Sequence, residues 1–121
     1  MDKKEIEMQT DKIDDWIERD VETLLRKEVK RLGGYAYKFT SPGNNGVPDR
    51  IVIFPDGVIW FVELKTAKGK TTRLQDTQLK RLDKLGQRVY VAHGVKGVIS
   101  FFDRAGYEST ADYLRLRYGV E

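Results

Sequence analysis

The chain has 121 residues, 40% of them hydrophobic and 34% charged, which fits one folded domain with a modest core and excludes a disordered polyelectrolyte. With no cysteine and a single histidine, disulfide frameworks, thiolate metal sites and multi-histidine zinc sites are excluded. No apolar run approaches the roughly 20 residues of a membrane span, and the polar, acidic start is no signal peptide, so no membrane association is expected and the reducing cytoplasm is the default address.

Residues 1–11 read as a polar extension. From Lys12 to Leu32, the apolar residues Ile13, Ile17, Val21, Leu24, Leu25, Val29 and Leu32 recur every three or four positions. That spacing predicts one amphipathic helix, stopped by Gly33-Gly34. Tyr35 to Phe39 alternates and predicts a short strand. Ser41 to Gly46 is a loop by composition, and Pro48 fixes the backbone just before Asp49.

Two strands are predicted next, Asp49–Phe54 and Val58–Leu64, joined by Pro55-Asp56-Gly57. A flexible stretch leads to a second amphipathic helix, Arg73–Leu85, with Leu74, Leu79, Leu82 and Leu85 inward and Gly86 as its stop. Arg88–Ala92 predicts another strand. The apolar run Val98–Phe102 fits strand or helix equally, and Ser109–Tyr118 predicts a closing helix. The order α-β-β-β-α-β gives an α/β fold, a mixed sheet flanked by helices, over a single domain with residues 12–93 as its core. Residues 94–121 form a C-terminal strand or helix region.

Three charged residues interrupt the central strands: Asp49 on one, Glu63 and Lys65 on the next. Charges within a half-buried sheet are costly and are retained mainly where they bind a metal or do chemistry. Glu63 and Lys65 are two apart and share a face. Asp49 joins them only if the turn has three residues. Phe54 then faces Val58, and Asp49 lies opposite Glu63, about 5 Å away between Cβ atoms. A two-residue turn would send the acids to opposite faces. Glycine at the third loop position favours the three-residue form.

Two opposed carboxylates repel unless a cation lies between them, and Mg²⁺ or Mn²⁺, with hard oxygen ligands, would meet that need. Lys65 could then neutralise charge developing on a phosphate; the bland alternative is a surface ion pair with Glu63 or Asp49. Charge is also unevenly spread along the chain. Residues 1–22 hold nine acids and four bases, whereas residues 65–88 hold eight bases and two acids. The basic segment, with Lys68, Lys70, Arg73 and Lys80, suits either a phosphodiester backbone or a plain solvated helix face.

Pro48-Asp49, thirteen further residues and Glu63-Leu64-Lys65 match the PD-(D/E)XK nuclease signature. Together with Gly33-Gly34, Lys38, Ser41-Pro42-Gly43, Gly46-Val47, Arg50, Gln75 and Leu82 followed by Gly86, the pattern resembles the VRR-NUC family in its small, stand-alone, phage-type form, over roughly residues 16–93. The resemblance implies a restriction-endonuclease-like core and a Mg²⁺- or Mn²⁺-dependent DNA endonuclease. No small-molecule cofactor is implied, and the setting would be a bacterial or phage-infected cytoplasm. Asp49 and Glu63 would be metal ligands, the Leu64 carbonyl a third, Lys65 the catalytic lysine, and Gln75 a contact to the site. An acid from the first helix would complete the metal shell. Glu18 fits the family spacing with Val21 and Leu25, and Glu22 is the second choice.

The resemblance also implies a junction-resolving homodimer that cuts branched DNA, with the 98–102 run and the C-terminal helix as interface candidates. Non-specific or nicking cleavage and a non-catalytic DNA-binding module are the alternatives. Lys38, Ser41 and Arg50 could contact phosphate, although Lys38 reads equally as an exposed strand residue and Arg50 as half of an ion pair. Gly43 and Gly46 could admit a DNA backbone or simply make a turn. His93 reads as structural, and Trp16 and Trp60 read as core residues in preference to base-stacking platforms.

Overall fold

Alternation along the strands and helical periodicity around them build a four-stranded sheet with helices on both faces. The computed structural model describes residues 12–121, so the polar extension 1–11 lies outside the described residues. In chain order the elements are α1 (Glu18–Arg31), β1 (Tyr35–Lys38), β2 (Arg50–Ile53), β3 (Ile59–Lys65), α2 (Arg73–Lys84), β4 (Arg88–His93), α3 (Gly94–Arg104) and α4 (Glu108–Tyr118). The sheet order is β1-β2-β3-β4. β1, β2 and β3 pair antiparallel, whereas β3 and β4 pair parallel with α2 as their connection. The sheet is therefore mixed and flanked by helices, as expected.

The turn after β2 has three residues. Phe54 N–H donates to the Val58 carbonyl at 3.0 Å, and Gly57 N–H to the Phe54 carbonyl at 2.9 Å. Gly57 adopts φ +87°, a conformation only glycine takes cheaply. Arg50 consequently faces Val62 and Ile53 faces Ile59. One step beyond that ladder, Asp49 faces Glu63.

Alternation then gives β3 two unlike sides. Trp60, Val62 and Leu64 are buried beside Ala36, Val52, Phe54 and Ala92. That side is covered by α1 and α3, and α4 packs in turn on α3. Phe101 of α3 meets Trp60 edge-on at 5.5 Å and stacks on Phe54 at 6.0 Å. Trp16 packs edge-on against Tyr118 at 5.5 Å. Both tryptophans are thus packing residues.

Two expectations need correction and a third, left open, is resolved. The helix that carries most of the stripe starts at Glu18, and Lys12 and Ile13 belong to a separate helical turn before it. The N–H groups of Asp15 and Trp16 bond back to the Lys12 and Ile13 carbonyls in a separate turn, and Asp20 Oδ2 accepts the Ile17 N–H at 3.1 Å. Acids near the helix start thereby set a new N-terminus two turns into the periodic stretch. Second, the leucines of α2 are not inward as a set. Leu74 and Leu85 are 57% and 69% exposed, and no α2 residue is fully buried. The helix packs on β4 at one side of the sheet, with no layer beyond it to cover the rest of its stripe.

Third, the 98–102 run is helical, within α3, and its Val98, Ile99, Phe101 and Phe102 are buried in this chain's own core. Four consecutively clustered apolar residues are accommodated because α3 is enclosed by α1, α4 and the sheet. The apolar side chains of the run are therefore taken up by this chain's own core, while Ser100 stays exposed. No helix among the described residues is long and apolar enough to cross a membrane.

Candidate active site

The second side of β3 carries Ile59, Phe61, Glu63 and Lys65 in alternation. Asp49 stands immediately before β2, where its carboxylate Oδ2 accepts the Leu64 N–H at 2.8 Å. The hydrogen-bonded pairs of the ladder fall at 54/58, 52/60 and 50/62, so the next would be 48/64. Position 48 is proline and has no N–H for the Leu64 carbonyl. The ladder ends there, and the Asp49 side chain takes over the Leu64 amide.

Glu63 is 1% exposed. Its Oε2 accepts the Gln75 Nε2 amide at 3.0 Å and lies 3.3 Å from Lys65 Nζ. Its Oε1 is buried and has no hydrogen-bond partner. Lys65 is itself 9% exposed, so the ion pair it makes is a buried one, not a surface pair. Glu18 reaches in from the first turn of α1. Oxygen atoms of Glu18, Asp49 and Glu63 all lie within 4.8 Å of one another.

This crowding perturbs all three acids. Burial and then the neighbouring Asp49 push the Glu63 carboxyl up to about 7. Burial also raises Asp49, opposed by its bond from Leu64, and raises Glu18, helped by the Asp49 charge. Desolvated like charges resist ionisation, and a divalent cation would relieve them. The donor set fits such an ion: three carboxylates are hard oxygen ligands, and the partnerless Oε1 of Glu63 is a buried acceptor aimed at no protein donor.

The other expected residues divide. Gln75 is brought to the site at the head of α2. Its Oε1 accepts the Thr72 N–H at 2.9 Å, while its Nε2 holds Glu63. Thr72, the N-cap whose Oγ1 accepts the Gln75 N–H at 3.2 Å, was missed in the sequence, although Thr-x-x-Gln before a leucine stripe is a capping-box signal. Glu22 is taken up by Arg50, whose Nε donates to Glu22 Oε1 at 2.6 Å and whose Nη1 donates to the Ala36 carbonyl at 3.0 Å. Of the two roles open to Arg50, the ion pair is the one that forms; its side chain lies between α1 and β1.

Glu28, near the end of α1, is buried and pairs with Arg31 at 3.2 Å. Ser41 accepts the Asn44 side-chain amide at 2.9 Å within its own loop. Lys38, Lys68, Lys70, Arg73 and Lys80 are exposed, as phosphate contacts need to be. His93, at the end of β4, is exposed and lies outside the acid cluster.

No family model matches the chain. A protein named "Putative nuclease p44", from Acyrthosiphon pisum secondary endosymbiont phage 1, is 49% identical over 74 residues, covering 61% of this chain and 80% of that protein. A solved structure described as a VRR_NUC domain superposes with a TM-score of 0.66 at 33% identity, covering 74% of this chain and 97% of its own. A second, a VRR_NUC domain protein, superposes at 0.55 with 22% identity, over 78% of this chain and 90% of its own, and supports the fold alone. Fold, shared sequence and the acid cluster agree, and the chain belongs to the VRR-NUC family.

Proposed function

We propose that the protein is a DNA endonuclease that needs Mg²⁺ or Mn²⁺. One observation carries this reading: three carboxylates converge within 4.8 Å beside a buried lysine, with one buried carboxylate oxygen lacking any partner. Most buried carboxylate oxygens in structural ion pairs have a hydrogen-bond partner. The phage relative's name supports nuclease chemistry.

Asp49, Glu63 and Glu18 would hold the ion, and the Leu64 carbonyl, which proline leaves without a ladder partner, is a fourth oxygen on the same side. When bound, the ion supplies Lewis acidity for the scissile phosphate and for the attacking water. Lys65 holds a positive charge beside Glu63, where it can offset the negative charge that grows on a phosphate as water attacks. Gln75 orients Glu63 and leaves its Oε1 free. The exposed Lys68, Lys70, Arg73 and Lys80 would grip the DNA backbone, which makes affinity fall steeply with salt.

We further propose branched DNA as substrate and a homodimer as the active form. One acid cluster per chain cuts one strand, so two copies present two sites to the two strands of a junction. Of the two interface candidates, α4 is the better placed, with Tyr113 and Leu116 outward, whereas the apolar side chains of the 98–102 run are buried. Purified protein with Mg²⁺ or Mn²⁺ is expected to cut four-way junctions in preference to flap, nicked or linear duplexes, and Lys65→Ala should lower the rate by about a thousandfold or more with the fold retained. DNA binding without cleavage of any substrate would reject the enzyme reading. Equal cutting of all four would reject branched-DNA selectivity, and activity surviving in Lys65→Ala would remove the role given to that lysine.

A further inference from the structure

The loop that delivers Asp49 and the helix turn that delivers Gln75 come closest at the backbone of Gly46. Gly46 adopts φ +87°, and a Cβ placed there would lie 2.7 Å from the Leu74 carbonyl carbon, 2.8 Å from its oxygen and 2.9 Å from the Gln75 nitrogen. All three are backbone atoms in the first turn of α2, so no flexible side chain can yield. A second bond closes the same contact: Gln78 Nε2 donates to the Asn45 carbonyl at 3.3 Å. The Gln75 amide is also fixed in orientation, because Oε1 holds the Thr72 N–H and only Nε2 can reach Glu63. A displacement of the helix start would therefore pass straight to Glu63.

We propose that Gly46 is a positioning residue of the site: its missing Cβ lets the Asp49 loop seat against the start of α2 and so sets Gln75 on Glu63. The proposal rests on the nuclease reading for its effect on rate, while its structural half stands apart from it. Gly46 touches no reacting group and acts only through Gln75. Gly43 supplies a matched control in the same loop, with φ +81° and nothing within 4 Å of an added Cβ. An alanine there carries the backbone strain without the collision.

The test compares Gly46→Ala and Gly43→Ala in the full chain by circular dichroism, kcat and KM on junction DNA, Mn²⁺ affinity, and the NMR shift of the Gln75 side-chain amide. Gly46→Ala should lower kcat by about tenfold to a hundredfold with KM within about threefold, weaken Mn²⁺, and shift the Gln75 amide away from its hydrogen-bonded position. Gly43→Ala should leave the circular dichroism, the Mn²⁺ affinity and the Gln75 amide unchanged, which are the readouts on which the two variants are compared. Equal behaviour of the two variants would overturn the proposal, as would a loss in Gly46→Ala that simply adds to that of Gln75→Ala in the double variant.

If Gly46→Ala does not fold, Gln78→Ala gives the same test in milder form. Its kcat loss, about threefold, must be non-additive with Gln75→Ala, and additivity or no loss overturns the proposal. If the wild-type protein cuts no DNA, the nuclease reading fails, while Mn²⁺ affinity and the Gln75 amide still decide the role of Gly46.

Discussion

The two sides of strand β3 divide stability from chemistry. On one side Trp60, Val62 and Leu64 are sealed under α1 and α3. On the other, Glu63 and Lys65 sit beyond Ile59 and Phe61 on a side where much apolar surface stays open: Tyr35, Tyr37, Ile59, Leu74 and Leu85 are all exposed. One seven-residue strand carries both because its side chains alternate. The covered side holds the strand rigid, and the open side can therefore keep a cluster of mutually repelling acids that would otherwise loosen the fold.

Leu64→Ala breaks the comparison from the covered side and should have the largest effect on stability. The side chain is fully buried, so its removal should cost about 2–5 kcal/mol, through lost transfer energy and a residual cavity. Chemical denaturation of the metal-free protein measures it. A loss under about 1 kcal/mol would mean that the helices over β3 collapse into the space and that this side is not the rigid one.

The division was largely legible in the sequence, because Gly57 and the alternation of β3 together set the register that opposes Asp49 to Glu63. Glu18 could be reached only through family spacing, since nothing in a helical wheel says that the first turn of α1 ends over the sheet. What alternation could not reveal were the side-chain partners chosen in three dimensions. Arg50 and Glu22 are 28 positions apart, and their pair exists only once α1 crosses β2. The leucine stripe of α2 misled for a related reason: amphipathicity states which side could be buried, not whether another layer exists to bury it. The Val98–Phe102 run was ambiguous because five residues are too few to show a helical period; its exposed Ser100 lines up with Lys96 and Arg104 only when all of α3 is read.

Glu63→Gln sharpens the comparison from the open side. Glu63 titrates near 7 in the folded protein against an ordinary value of 4.5. Between those values the folded, metal-free state holds the proton more tightly than the unfolded chain. Its contribution is therefore fully present below about pH 4.5 and is lost as pH rises through about 7. Asp49 and Glu18 are raised too and act in the same direction. The metal-free wild type should melt progressively lower from pH 5 to pH 8, and Glu63→Gln should melt a few degrees higher than wild type at pH 8 but close to it at pH 5. Mg²⁺ should reverse the order at pH 8 by stabilising the wild type alone. A variant less stable than the wild type at pH 8 without metal would show that the acids are not in conflict.

The smallest effect should come from Leu85→Ser, at the end of α2. Leu85 is 69% exposed, and serine there buries no new polar group, so an isolated chain should change by no more than about 0.5 kcal/mol. This near-neutrality is a sharper probe than it looks. If a second copy covers the open side in solution, Leu85 is no longer a surface residue, and its loss would lower both the melting temperature and the dimer fraction in sedimentation. That effect would grow as the protein is diluted, because stability that comes from association depends on concentration whereas stability from a core does not. A concentration-independent change within that range would leave the open side of β3 facing water and assign pairing to α4, where Leu116 is 76% exposed and can be tested by the same substitution.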